Sequence, residues 1–139
     1  MPPKTLIGHC YCSKIKITAD RQPLQIAYCH CSDCRRVTGA PVAAFAAFEI
    51  SAVTLTPDVA AANPLSEKVK RRFCPSCGSP LTAEFDYLPG QIYVPLGLLD
   101  QADDLPPELH CHSDSALKWL HIQDKTERVA GTARDILNQ

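Results

Sequence analysis

Lys14-Ile-Lys-Ile-Thr18 alternates polar and apolar side chains with a period of two, the pattern of a strand with one face buried and one in water. Further strands are expected at Leu24 to Cys29, Val42 to Ile50, Val53 to Thr56, Lys68 to Phe73, Leu81 to Phe85 and Gln91 to Val94. Turn residues separate them at Asp20 to Pro23, Pro57-Asp58, Asn63-Pro64 and Pro89-Gly90. Twelve prolines argue against long helices, because proline removes a helix donor and its ring clashes with the preceding turn. Helical signals are confined to Asp33 to Val37 and to Thr132 to Asn138, where Thr132 would supply the N-cap. The expectation is a mainly β protein of short antiparallel strands with few short helices.

Composition narrows this picture. A chain of 139 residues is long enough for one domain with a core and short for two, and 45% hydrophobic with 21% charged residues is ordinary for a globular protein. One domain is therefore expected over 1–139, with its core at about 8–122 and a C-terminal tail at 123–139. The net charge of -1 offers no electrostatic footprint for nucleic acid or an anionic membrane, so neither is expected as a partner. No stretch approaches the ~18 apolar residues of a membrane span, and the first ten residues lack a signal-peptide core. A cytoplasmic location is expected.

Eight cysteines change the picture most. Thiols clustered in a reducing compartment are metal ligands more often than disulfides. They fall into Cys10-x-Cys12, Cys29-x-Cys31-x-x-Cys34 and Cys74-x-x-Cys77 followed by Gly78. On a strand, residues two apart share a face at a spacing of ~6.7 Å, so C-x-C aims both sulfurs at one ion. C-x-x-C does the same across a tight turn, and Gly78 suits a turn needing positive φ. Zinc takes four ligands at ~2.0–2.3 Å in a tetrahedron. One allocation joins Cys31, Cys34, Cys74 and Cys77 as a zinc ribbon and strands Cys10, Cys12 and Cys29. The other joins Cys10, Cys12, Cys74 and Cys77 and leaves Cys29, Cys31 and Cys34 as a three-thiolate cluster. The second uses every clustered cysteine and is preferred.

Gly8-x-Cys-x-Cys12, Cys29-His-Cys-x-x-Cys-Arg35 with Gly39, and Phe73-Cys-x-x-Cys-Gly78 with Leu81 resemble the signature of the glutathione-dependent formaldehyde-activating family. Gly97-Leu-Leu-Asp100, Pro107-x-x-His110 and Trp119 continue the pattern in order. Ser13 stands where the resemblance implies a glycine. The resemblance implies a β-tent fold and two zinc ions per chain. Cys10, Cys12, Cys74 and Cys77 would hold a structural zinc. Cys29, Cys31 and Cys34 would hold a second zinc with an open position. It also implies a carbon–sulfur lyase-type activity in which glutathione or a similar thiol adds to formaldehyde to give S-hydroxymethylglutathione.

Three thiolates make zinc a weak Lewis acid but suit it to a soft fourth ligand such as a thiol. Proton movement would need an acid or base, for which His30 and His110 are candidates; His30 on a strand would point away from Cys29 and Cys31. Arg35 is a candidate clamp for a substrate carboxylate, weighed against pairing with a local acid or carbonyl. Cys111 is a candidate fourth ligand, weighed against a small buried residue. Trp119 reads as core, Asp100 as turn chemistry, and Lys68 to Arg72 as a solvated strand edge. His9, His112 and His121 have no spacing that singles them out. The rival to an enzyme is a non-catalytic, zinc-stabilised protein-interaction module, with a zinc or thiol-stress sensor as a third reading.

Overall fold

The apolar stretches resolve into ten strands and one α-helix in a computed structural model that describes residues 5–62 and 68–132. In chain order the strands are β1 (Leu6–His9), β2 (Lys16–Ala19), β3 (Gln25–Cys29), β4 (Ala43–Glu49), β5 (Val53–Thr56), β6 (Val69–Phe73), β7 (Pro80–Phe85), β8 (Gln91–Pro95), β9 (Leu109–Cys111) and β10 (Glu127–Arg128). The helix, α1 (Ser32–Thr38), follows β3. The turn expected at Asn63-Pro64 and, Thr132 apart, the expected C-terminal helix lie outside the described residues. Among the described residues, no helix is long and apolar enough to cross a membrane.

A small sheet has the order β1-β2-β5, and a seven-stranded sheet has the order β10-β9-β3-β4-β8-β7-β6. The fold is mainly β, as expected. Pairing is antiparallel from β3 across to β6, but β9 pairs with both β3 and β10 in parallel. The all-antiparallel expectation fails at that edge. Strands β1, β9 and β10 were not anticipated: β9 and β10 are too short to show alternation, and β1, Leu-Ile-Gly-His, sets two apolar residues side by side before a glycine. Glu127–Arg128 falls in the stretch expected to be a tail, yet it pairs with Leu109 and His110.

Strand β4 explains how the core divides. Its sequence Ala-Ala-Phe-Ala-Ala-Phe-Glu sets small side chains beside two phenylalanines, so neighbouring elements approach closely on both faces. Ala46 and Phe48 pack with Leu6, Ile17, Leu81 and Val94 between the two sheets. Phe45 and Ala47 point the other way, toward Cys34, Ala83 and Tyr93. Fully burying each phenylalanine contributes roughly 1.5–3 kcal/mol. The period-two alternation thus creates two separate apolar compartments, one on each side of the large sheet.

Gly8 joins the small sheet to the large one. It bridges Leu99, and a Cβ there would lie 2.1 Å from the Leu98 carbonyl oxygen. Only glycine permits that approach. Trp119, expected in the core, is instead 64% exposed, in the irregular segment between β9 and β10. Among the described residues the basic strand β6 is the last of the large sheet, but the expected solvated edge is only partial. The Arg71 carbonyl accepts the Ala62 N–H, Arg72 pairs with Glu84, and Lys70 alone of the strand is exposed.

Candidate metal centres

The first cluster forms where two hairpin turns meet. Cys10 and Cys12 lie in the turn between β1 and β2, beyond the strand rather than on it. Cys74 and Cys77 lie in the turn between β6 and β7. Each turn bends its backbone N–H groups toward sulfur. The Ile15 N–H donates to Cys10 Sγ at 3.4 Å, and the Cys77 N–H to Cys74 Sγ at 3.4 Å. Gly78 has φ +79° as its turn requires, and its N–H donates to the Cys74 carbonyl. Ser13 has φ +69°, the left-handed region, at the position where the resemblance implies glycine. The Ser79 side chain and backbone hold Cys77 down at about 5. Cys10 and Cys74 are buried in the compartment between the sheets, with Cys12 and Cys77 packed against it.

The second cluster lies on the opposite face of the large sheet. Cys29 ends β3, Cys31 is the N-cap of α1, and Cys34 is buried in its first turn. The expected strand geometry for Cys29-x-Cys31 is therefore replaced by a strand-to-helix turn. Cys31 Sγ accepts the Cys34 N–H at 3.3 Å, so one sulfur both caps the helix and joins the cluster. Hydrogen bonds from Cys29, then Cys34, hold Cys31 down at about 2. The same bond with Cys31 pushes Cys29 up to about 11, and Cys29 and Cys31 together raise Cys34. Three thiols this close oppose one another's ionisation, and a bound cation is what would let all three ionise together.

Either cluster can hold a metal ion: within each, the sulfurs all lie within 4.8 Å of one another. Four sulfurs ~2.3 Å from a tetrahedral zinc stand roughly 3.8 Å apart. The Cys10–Cys12 and Cys12–Cys74 sulfurs are 3.6 and 3.7 Å apart, and the Cys29–Cys31 sulfurs 3.4 Å. The donor sets therefore fit zinc, and the geometry follows the second of the two cysteine allocations rather than the zinc ribbon. Among the described residues no fourth ligand joins Cys29, Cys31 and Cys34. Cys111 is beside Cys29 in the β3–β9 register, but it is a buried part of the wall and not a member of the cluster.

That cluster opens on a cavity of about 130 Å³. Its walls include Phe45, Val69, Phe85, Tyr87, Leu88 and Tyr93. Asp33, Arg71 and His112 contribute the charged and polar groups. Burial, then the charge of the nearby cysteines, raises Tyr87 to about 12, so its phenol stays protonated. Sequence reasoning missed these residues. They come from strands, turns and a helix far apart in the chain, and only the alternation on β6, β7 and β8 hinted at which side chains share a face.

His30 and His110 do not line the cavity. In the β3–β9 register His110 is opposite Tyr28, while Cys111 is opposite Cys29, so His110 points to the reverse face. There His110 Nε2 hydrogen-bonds Asp124 Oδ2 at 2.8 Å, and its Nδ1 meets His30 Nε2 at 2.8 Å. Both histidines are buried, and their rings stack 5.1 Å apart. Asp124 is held well below the carboxylate range, first by its hydrogen bond to His110. The row runs on to Arg128, which pairs with Asp124. It ties β10 to the loop that carries Cys29 and Cys31. Arg35 serves a similar purpose: its Nη1 donates to the carbonyls of His30 and Ser115, each at 2.6 Å.

A family model described as glutathione-dependent formaldehyde-activating enzyme matches residues 5–115. Among solved structures, the crystal structure of a Rhodobacter sphaeroides protein, a structural-genomics target, is similar with a TM-score of 0.55. It is 18% identical and covers 88% of this chain and 99% of its own, a likeness of fold. No curated protein matches the chain in sequence.

Proposed function

The chain belongs to the glutathione-dependent formaldehyde-activating enzyme family, and on that premise we propose that it is a two-zinc, carbon–sulfur lyase-type enzyme acting on glutathione or a similar thiol. Cys10, Cys12, Cys74 and Cys77 hold the structural zinc. Cys29, Cys31 and Cys34 hold the second, whose free position faces substrate. The observation that carries this reading is a cluster of three sulfurs, without a fourth ligand among the described residues, at the edge of a cavity. A structural site has a closed ligand set, whereas three ligands leave one position open.

Zinc at this site would supply the positive charge that keeps a substrate thiol deprotonated near neutral pH. The chain's own residues do the rest. The cavity walls exclude water and hold the thiol's carbon skeleton. Sulfur adds to the carbonyl carbon of formaldehyde, a carbon–sulfur bond forms, and the carbonyl π pair moves to oxygen, which takes a proton. His112 is on the cavity wall and is the group placed to deliver that proton, in place of the His110 expected from the sequence. Arg35 is committed to backbone carbonyls, which supports a positioning role for it over a substrate clamp.

Seven cysteines grouped as metal ligands rather than as disulfides support a reducing, cytoplasmic location. We read the chain as one zinc domain, with residues 127–128 closing an edge of its large sheet. The test is a calorimetric titration of glutathione into protein carrying two zinc ions per chain. Saturable binding that disappears in Cys31→Ser supports the reading, and no thiol binding by fully loaded protein overturns it. The second reading is an interaction module, which would use exposed aromatic residues such as Tyr11 and Trp119, 89% and 64% exposed. On that reading the zinc-loaded protein binds no thiol.

A further inference from the structure

The wall of the cavity beside Cys29, Cys31 and Cys34 is chemically unlike glutathione. Phe45 and Phe85 each meet Tyr93 edge-to-face, with ring centroids 6.3 and 5.5 Å apart, and Phe85 approaches Tyr87 at 5.5 Å. The Tyr93 hydroxyl donates to Gln91, so its polar tip is already partnered. Leu88 and Val69 complete an apolar box. Aromatic rings in such an arrangement present faces and edges to a further planar group.

Size points the same way. A cavity of about 130 Å³ is close to the ~150 Å³ apolar cavity that takes up benzene in another protein. Glutathione carries carboxylates and an ammonium spread over a tripeptide backbone. Against these the described lining offers one guanidinium and one carboxylate, Arg71 and Asp33, besides the imidazole of His112. The Arg71 guanidinium sits over the Phe85 ring, 5.6 Å from its centroid. Charged groups drawn into an aromatic box without partners lose their hydration, which costs affinity.

We propose that this cavity selects a small thiol bearing an apolar group of about benzene size, with its sulfur at the Cys29–Cys31–Cys34 cluster, in preference to glutathione. The proposal rests on the reading of that cluster as an open thiol site and names its substrate class. The apolar group fills the box formed by Phe45, Phe85 and Tyr93, and Arg71 and Asp33 stay at the polar part of the wall.

The test uses the full chain carrying two zinc ions, titrated calorimetrically with phenylmethanethiol, with glutathione and with phenylmethanol, which lacks the sulfur. Phenylmethanethiol should bind at least tenfold more tightly than either of the others. Val69→Trp, a half-buried position on the edge strand β6, should fill the cavity and remove that preference while both zinc ions are retained. Glutathione binding as tightly as phenylmethanethiol would overturn the apolar preference and leave the thiol site standing. Failure of both thiols to bind would overturn the thiol site and the preference together. Equal binding of phenylmethanol would show that sulfur plays no part, and would overturn the proposal as well. A preference that survives Val69→Trp, with the variant folded and zinc-loaded, would place the apolar group elsewhere and overturn it too.

Discussion

Cys10, Cys12, Cys74 and Cys77 are packed between two sheets, where they join the β1–β2 turn to the β6–β7 turn. Cys29, Cys31 and Cys34 lie on the other face of the large sheet, at the junction of β3 with α1, beside a cavity. Both clusters use the same ligand atom at similar sulfur spacing, yet their surroundings differ. The first draws its sulfurs from hairpins more than sixty residues apart, so an ion there closes a long loop. The second draws them from six consecutive residues, so an ion there restrains little of the chain. Loop-closure entropy grows with the length enclosed, so an ion at the first cluster would restrain the unfolded chain more than one at the second, which supports the proposed structural role of the first.

The sharpest way to break that comparison is to remove one ligand from each cluster. Cys74→Ser should cost at least ~3 kcal/mol and lower the melting temperature by roughly 10 °C, with one zinc retained per chain. Cys31→Ser should also lose one zinc and all thiol binding, but lower the melting temperature by only a few degrees. Serine is itself a favoured N-cap, so α1 keeps its first-turn partner. Calorimetry with zinc analysis checks both variants, and equal destabilisation would erase the distinction. A chelator sharpens the comparison kinetically. Zinc release should be biphasic, with the three-cysteine cluster roughly tenfold faster, because its ion is held by fewer ligands and opens on a cavity. Release in a single phase from the wild-type protein would count against it.

Smaller effects probe what supports each cluster. His110→Leu removes the partner that His30 Nε2 and Asp124 Oδ2 share, which should cost about 1–3 kcal/mol in thermal unfolding while two zinc ions remain bound. Loss of the second zinc in that variant would show that the histidine row also sets the position of Cys29 and Cys31. Ser13→Gly relaxes a left-handed residue beside Cys12 and should add up to ~1 kcal/mol, offset in part by the freer unfolded chain. A fall in melting temperature would mean that the Ser13 hydroxyl contact with His9 outweighs the strain.

Much of the first cluster was legible in the sequence, and less of the second. C-x-x-C followed by Gly78 announces a turn, and the turn forms with the positive φ that glycine tolerates. The Cys29, Cys31 and Cys34 spacing announced a cluster but not its shape, because Cys31 leaves the strand to cap a helix. His110 illustrates the limit. Its place near the cysteines was expected, but the register Tyr28 to His110 turns it to the reverse face. Trp119 shows the same limit for burial, since a tryptophan reads as core unless the fold leaves its segment outside.

By itself the sequence determined the mainly β character, the three local groups of clustered cysteines and the Cys74–Cys77 turn, while leaving a preference between two ways of joining the groups. These follow from covalent geometry over a few residues: a period of two along a strand, and positive φ at a glycine. The tertiary structure alone decided which strand edges pair in parallel, which face each cluster occupies, and which distant aromatic residues wall the cavity. Register and sheet order decide those features, and they depend on contacts between residues far apart in the chain.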